Sequence, residues 1–412
     1  MKTNPIMEKL MQATGQSVAV EWKTLGEVAE LKRGKVITAK ETTEGNIPVI
    51  SGGQKPAYYT GEHNRDGETI TIAGSGAYAG FVMYWNEPIF VGDAFSIKPN
   101  LSLLITRYVY HFLMSNQNII FAMKKGSGVP HVYPKDVSTL KIPIPPLEAQ
   151  RKIVQVLDNF TELTAELTAE LTAELTARKK QYEYYRNLLL DFNNQIGGGS
   201  WFFQSRNPLS GSLKVEWKSL GEVGELIRGN GLQKKDFTET GVPAIHYGQI
   251  YTHFGNFADK TKSFVSAELA TKLKKAQFGD VLIAGTSENV EDVMKPLGWF
   301  GGEIVFSGDM FAFRPNAEIN TKYLTYLLQT ERFYKHKEKY AQGTKVIRVN
   351  SQNFLKFQIP IPPLETQAQI VAILDKFDTL THSISEGLPR EIELRQKQYE
   401  YYRALLLNFQ AA

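Results

Sequence analysis

One run of the chain, Leu147 to Phe192, contains neither glycine nor proline, and it carries three tandem copies of Thr-Ala-Glu-Leu at Thr164–Leu167, Thr168–Leu171 and Thr172–Leu175. Ala, Leu and Glu are strong helix formers, so the run predicts one helix of roughly 69 Å at about 1.5 Å per residue. Its apolar residues are Ile153, Leu157, Phe160, Leu163, Leu167, Leu171, Leu175, Tyr182, Tyr185, Leu189 and Phe192. Their steps of three, four or seven draw one narrow stripe along a helix. The other faces are polar, so the stripe calls for a partner helix.

The partner lies in the same chain. Arg178–Phe192 and Arg395–Phe409 agree at 12 of 15 positions at an offset of 217 residues, and the same offset places Ile-Pro-Ile-Pro-Pro-Leu-Glu at both Ile142–Glu148 and Ile359–Glu365. Each apolar position above has an apolar counterpart at that offset: Ile370, Leu374, Phe377, Leu380, Ile384, Leu388, Ile392, Tyr399, Tyr402, Leu406 and Phe409. Two stripes in one register predict a two-helix coiled coil, antiparallel because a tandem duplication joined by a globular segment can then form a pseudo-twofold pair. Gly387 and Pro389 are expected to kink or break the second helix.

The globular parts are duplicated as well. Val20–Gly34 and Val215–Gly229 agree at 12 of 15 positions. Beyond these openings the matching points are Ile47–Ile50 with Val242–Ile245, Ile70–Ser75 with Val281–Thr286, and Gly92-Asp93 with Gly308-Asp309. These short β-branched runs, punctuated by Gly and Pro, read as strands and turns. The order along the chain is an N-terminal arm at 1–19, a first domain at 20–146, a helix at 147–192, a linker at 193–214, a second domain at 215–363 and a helix at 364–412. The fold class is α+β: two similar α/β domains, a long antiparallel coiled coil and an internal twofold repeat. Between the fixed points the side chains differ almost completely, as expected of one scaffold serving two targets. Trp201, Phe202 and Phe203 in the linker are expected to dock on a neighbouring domain.

Composition excludes several classes. The chain has no cysteine, so thiolate metal sites and disulfides are ruled out, and no apolar run reaches the roughly 18 residues of a membrane span. The N-terminus has no apolar core of signal-peptide length, so a cytoplasmic location is expected. The Gly-x-x-x-x-Gly-Lys, His-Glu-x-x-His and Gly-x-Ser-x-Gly motifs are absent, as is the Asn/Asp-Pro-Pro-aromatic tetrad of amino-methyltransferases. No catalytic residue and no metal site is expected. Glu21–Lys23 and Glu216–Lys218 resemble a nuclease metal motif only faintly and read as framework, and the histidines His63, His131, His246, His253 and His336 read as surface hydrogen-bonders.

Net charge is only +4, so the placement of the basic residues matters more than their sum. Met123–Lys135 holds Lys124, Lys125 and Lys135 with no acid, together with Ser127 and His131. At the matching place in the second domain, Glu331–Arg348 holds Arg332, Lys335, Lys337, Lys339, Lys345 and Arg348. Basic, hydroxyl and imidazole groups suit phosphate contacts and base-edge readout. The candidate nucleic-acid residues are therefore Lys124, Lys125, Ser127, His131, Lys135, Lys335, Lys337, Lys339, Lys345 and Arg348. The repeated Gln-Tyr-Glu-Tyr-Tyr-Arg holds more aromatic surface than a two-helix seam requires. Tyr182, Tyr185, Arg186, Tyr399, Tyr402 and Arg403 are therefore candidates for a protein partner.

Over nearly its whole length the chain resembles the specificity subunit of type I restriction–modification systems. The resemblance rests on the paired Trp-Lys-x-Leu-Gly-Glu openings, the Ile-Pro-Pro-Leu-Glu helix entries, the Arg-x-Lys-Gln-Tyr-Glu-Tyr-Tyr-Arg endings and the Thr-Ala-Glu-Leu repeats. It implies that each globular part is a target-recognition domain reading one half of a split, asymmetric double-stranded DNA sequence. It implies helices that act as a spacer and bind two modification subunits, which carry S-adenosylmethionine and methylate adenine. Separate restriction subunits, motor–nucleases, would cut unmethylated DNA, and this chain itself would hold no cofactor. The choice of DNA over RNA comes from the resemblance. A four-residue repeat lengthens a helix by roughly 6 Å and turns it by about 40°, close to the 34–36° or so that B-DNA turns per base pair. The repeats then read as a ruler. The competing reading is a pseudo-dimeric coiled-coil scaffold that binds only proteins.

Overall fold

The computed structural model describes residues 20–192, 215–382, 387–407 and 409. The expected arm at 1–19 and the linker with Trp201, Phe202 and Phe203 lie outside the described residues. The described residues pack as two units, one within 1–170 and 393–412 and the other within 171–392.

Each unit holds one domain, and each domain is closed at its base by a two-stranded antiparallel ribbon. In the first unit Glu21–Thr24 pairs with Lys141–Ile144, and in the second Glu216–Ser219 pairs with Gln358–Ile361. The duplicated opening and the Ile-Pro-Ile run are therefore two halves of one device. Proline removes a ladder donor and is tolerated on an edge strand, which is where Pro143 and Pro360 sit, opposite Trp22 and Trp217. Directly after the ribbon, Thr24 and Ser219 start a short helix through a capping box, the backbone N–H of each donating to Glu27 and Glu222 at 2.7 Å. The Leu-Gly-Glu of both openings is that cap. Glu21–Lys23 and Glu216–Lys218 are ion pairs inside the ribbon strands, at 3.1 and 3.5 Å.

Above the ribbon, the first domain forms an antiparallel sheet in the order Ala29–Arg33, Ala94–Pro99, Thr69–Ala73, Val82–Trp85. The second forms the same sheet in the order Gly224–Arg228, Met310–Pro315, Val281–Ala284, Lys295–Trp299, with Phe257–Ala258 added in parallel at the edge. One helix backs each sheet, α1 (Thr106–Ser115) in the first domain. Beside each main sheet stands a smaller one, holding Ile47–Ile50 in the first domain and Val242–Ile245 in the second.

The Gly- and Pro-free run forms a single helix, α2 (Leu147–Leu189). In the second unit, α3 (Thr321–Leu327) backs the sheet and is followed by α4 (Glu331–Tyr340). The C-terminal stripe is two helices, α5 (Leu364–His382) and α6 (Leu388–Leu407). The break falls where Gly387 adopts φ +82, a conformation that disfavours L side chains.

The pairing is antiparallel. In the first unit Ile153 and Leu157, early in α2, share a core with Leu406, Leu407 and Phe409 at the end of the chain. In the second unit Ile370 and Leu374, early in α5, share a core with Leu189, Leu190 and Phe192. The stripe is not buried throughout. Leu163 is 58 % exposed, since the register set by Thr161 Oγ1 against Tyr399 OH at 2.9 Å brings the polar stretch Arg395–Gln398 to its level.

Each domain is bolted to its helix by the same pair of side chains. Gln150 Oε1 accepts from the backbone N–H of Ile105 at 2.9 Å, and its amide donates to Leu103 O and Pro145 O. Gln367, at the 217 offset, accepts from Asn320 N–H at 2.8 Å and donates to Glu318 O and Pro362 O. Asp158 takes Arg107 and His111 of α1, both at 2.8 Å, and Asp375 takes Lys322 and Tyr326 of α3, both at 2.6 Å. The latch keeps its carboxylate while the cation and the ring change type.

Candidate nucleic-acid interface

The basic segments expected to meet nucleic acid form equivalent hairpins. In the first domain Lys125 and His131 exchange backbone hydrogen bonds at 2.9 and 2.8 Å, and His131 also bridges to Ser75. In the second domain Ala341–Gln342 pairs with Ile347–Val349, and Arg348 faces both Gln342 and Thr286. The 217 offset superimposes Gly126 on Gly343 and His131 on Arg348. Both glycines have positive φ, +105 and +113, so each tip turns where a side chain would strain. Ser127 and Lys345 are exposed on these tips.

Behind each hairpin lies a cleft, of about 230 Å³ in the first domain and about 270 Å³ in the second. Arg33, Asp93 and Phe95 line one, and Arg228, Asp309 and Phe311 line the other. Close backbone approach follows each arginine. A Cβ on Gly34 would fall 2.3 Å from Gly92 O, and one on Gly229 would fall 2.0 Å from Ser307 O. Among the described residues neither arginine forms an ion pair.

Not every candidate lysine faces solvent freely. Lys125 is exposed but bonded to both oxygens of Asp136 at 2.8 Å, and Lys124 donates to Ala77 O at 3.0 Å. Lys335 pairs with Glu331 across one helical turn at 2.7 Å. Lys135 and Lys339 are exposed. Lys337 corrects the sequence reading, since it is buried, 6 % exposed, and its ammonium donates to the carbonyls of Glu291 and Val293. Burial pushes its pKa down to about 8. It sits on the face of α4 that also buries Phe333, and its two carbonyl partners tie α4 to the 287–294 segment.

The family described as the type I restriction modification DNA specificity domain matches the sequence twice, at residues 18–177 and 213–394. The chain is 34 % identical to a type I restriction enzyme specificity subunit assigned by name in Haemophilus influenzae, over 99 % of this chain and 100 % of that one. It is 32 % identical to the EcoR124I/EcoR124II specificity subunit of Escherichia coli, over 98 % and 96 %. This chain belongs to the type I restriction–modification DNA specificity family. The fold agrees with a solved structure from a study of complex assembly and conformational transition in the type I system, with TM-score 0.64, 19 % identity and coverage of 94 % of this chain and 97 % of that one.

In this specificity chain the Gln-Tyr-Glu-Tyr-Tyr-Arg motifs differ from expectation. Tyr182 is buried, Tyr185 stacks on Phe377 at 5.5 Å, and Arg186 lies over the Tyr182 ring at 5.0 Å. In the first unit Tyr402 stacks on Phe160 at 5.5 Å, Tyr399 meets Thr161, and Arg403 lies over the Tyr399 ring at 5.2 Å. All six candidates for a partner are engaged within the helix pairs, because steps of three and four return them to the seam face. The exposed ring of each motif is the middle tyrosine, Tyr184 at 62 % and Tyr401 at 64 %. Sequence reasoning also passed over Gln150, Gln367, Asp158 and Asp375, although each pair recurs at the 217 offset. Among the described residues no group of three or more His, Cys, Asp or Glu could hold a metal, and no helix is long and apolar enough to cross a membrane.

Proposed function

We propose that this chain is the recognition subunit of a cytoplasmic type I restriction–modification complex, in which each domain binds one half of a bipartite, asymmetric double-stranded DNA site. The helices set the number of base pairs between the halves, and each Thr-Ala-Glu-Leu copy adds one step. Two modification subunits, bearing S-adenosylmethionine, dock on the helices, and restriction subunits complete the assembly. The chain contributes no catalytic group.

One observation carries this reading. Two hairpins occupy the same place on the same scaffold, yet they present Ser127 and His131 in one domain and Thr344, Lys345 and Arg348 in the other. A shared platform with different tips suits two readers of different sequences. Membership in the DNA specificity family supplies the class of target.

The test is long-read detection of methylated adenines in cells that express this chain with its modification subunit. The expected result is one split sequence with two unlike halves. A single contiguous site, or no site dependent on this chain, would overturn the reading. Purified alone with DNA and S-adenosylmethionine, the chain is expected to transfer no methyl group. Its DNA affinity should fall linearly with salt on logarithmic axes.

A further inference from the structure

The two clefts behind the hairpins hold two sets of residues. One set is the same in both domains: Arg33 and Arg228, Asp93 and Asp309, with glycines beside them. The other set differs: His131 stands where Arg348 stands, and Tyr133 where Asn350 stands. In the first cleft the differing residues build a planar wall. The His131 and Tyr133 rings stack at 6.0 Å with 18° between planes, and Arg33 lies over Tyr133 at 5.4 Å. In the second cleft Asn350 uses its side chain to cap the next helix, accepting from Gln352 N–H at 2.8 Å, and among the described residues no ring lies over Arg228 or Arg348.

A cation that is identical at one place in both readers cannot make their targets differ, whereas it suits what both targets share, the phosphate backbone. A group that differs at one place on the same wall can set sequence. Phosphate contacts position a protein on DNA, and base-edge contacts specify it. Arg33 and Arg228 are exposed and free of ion pairs among the described residues, as a phosphate contact requires. Arg348 carries a guanidinium of the kind that reads base edges, and the His131 ring offers a nitrogen donor or acceptor at the matching place.

We infer that the paired clefts are the DNA-reading sites of this chain. Arg33 and Arg228 hold backbone phosphate, and His131 and Arg348 read a base pair in the first and second half-site respectively. This rests on the proposed function and adds residues to it.

The experiment uses the full chain in its complex with the modification subunit and maps methylated adenines by long reads. His131→Arg should change the preferred base at one position of one half-site, by about 5- to 150-fold in relative methylation, and leave the other half-site alone. Arg348→His should do the reverse. Arg33→Gln and Arg228→Gln should lower methylation at every site together, keep both half-sites, and each reduce the salt slope of binding by about one. His131→Gln and thermal melts of each complex guard against misfolding. Unchanged half-sites in His131→Arg and His131→Gln complexes that melt like the parent would overturn the inference, as would altered half-sites in Arg33→Gln. A His131 variant that abolishes modification altogether while melting normally also counts against it. If the parent complex itself shows no split site, the proposed function fails rather than this inference.

Discussion

The ring of Phe160 lies flat over the ring of Tyr402, with centroids 5.5 Å apart and planes 1° from parallel. Shifting both numbers by 217 residues, in opposite directions, gives Phe377 and Tyr185, which stack at the same 5.5 Å in the other unit. A stack that occurs twice with the partners' helices exchanged is what a duplicated chain makes when its two helices run antiparallel.

The stack should be measurable as a coupling. Phe160→Ala and Tyr402→Ala are each expected to destabilise the protein. The double variant should fall short of their sum by about 0.5–1.5 kcal/mol, the range for aromatic pairs. Denaturant unfolding of the four proteins gives the cycle, and additive losses would mean that the rings do not interact.

His111 should make the first domain's latch sensitive to acid. It is 1 % exposed, and burial lowers its pKa from the usual 6.5 even though Asp158 opposes the shift. The unfolded chain therefore binds the proton more readily, so stability falls as pH drops below 6.5 and the loss is complete below the depressed value. Tyr326 fills the same place in the second domain and has no such transition near neutrality. The melting temperature of the parent should drop more than that of His111→Tyr between pH 7.5 and 5.5; equal drops would show that His111 is not buried neutral.

Lys337 and Lys345 should separate under salt. Lys345→Ala, on an exposed tip, is expected to reduce the salt slope of DNA binding by about one. Lys337→Met removes a cation held between Glu291 O and Val293 O. It should leave the slope unchanged and speed hydrogen exchange in residues 287–294. A reduced slope in Lys337→Met would place that ammonium on the DNA.

Gly343 should tolerate no side chain. Its φ is +113 and a Cβ would stand 2.1 Å from Val346 O. Gly343→Ala is expected to cost on the order of 1–3 kcal/mol and to weaken the second half-site while sparing the first. An unchanged melt and an unchanged second half-site would show that the hairpin does not need this turn.

What was legible in the sequence followed from local composition and from identity between the repeats. The long helix could be read from its lack of glycine and proline, its partner's register and the matching basic segments from residues that recur at one offset, and the break at Gly387 from a glycine and a proline that have no counterpart in the first helix. The Asp158 and Asp375 latches were only half legible: the carboxylates recur at the 217 offset, but their partners change type, Arg107 becoming Lys322 and His111 becoming Tyr326. Lys337 was misread because it lies among exposed basic residues on α4. Spacing of four puts it on one face with Phe333, and only tertiary packing shows that this face is buried. The tyrosine motifs were read as surplus surface although Tyr182, Tyr185 and Phe377 already stood on the two stripes; the spacing put them in the seam and left only Tyr184 outside it. The ribbon joining both ends of each domain pairs residues too distant in sequence for local pattern to reveal.

Deletion of Thr168–Leu171 probes the whole arrangement most directly. Adenine methylation in cells carrying the shortened chain and its modification subunit should keep both half-sites and narrow the gap between them. Altered half-sites across the original gap would contradict the idea that two fixed readers are spaced by the helices.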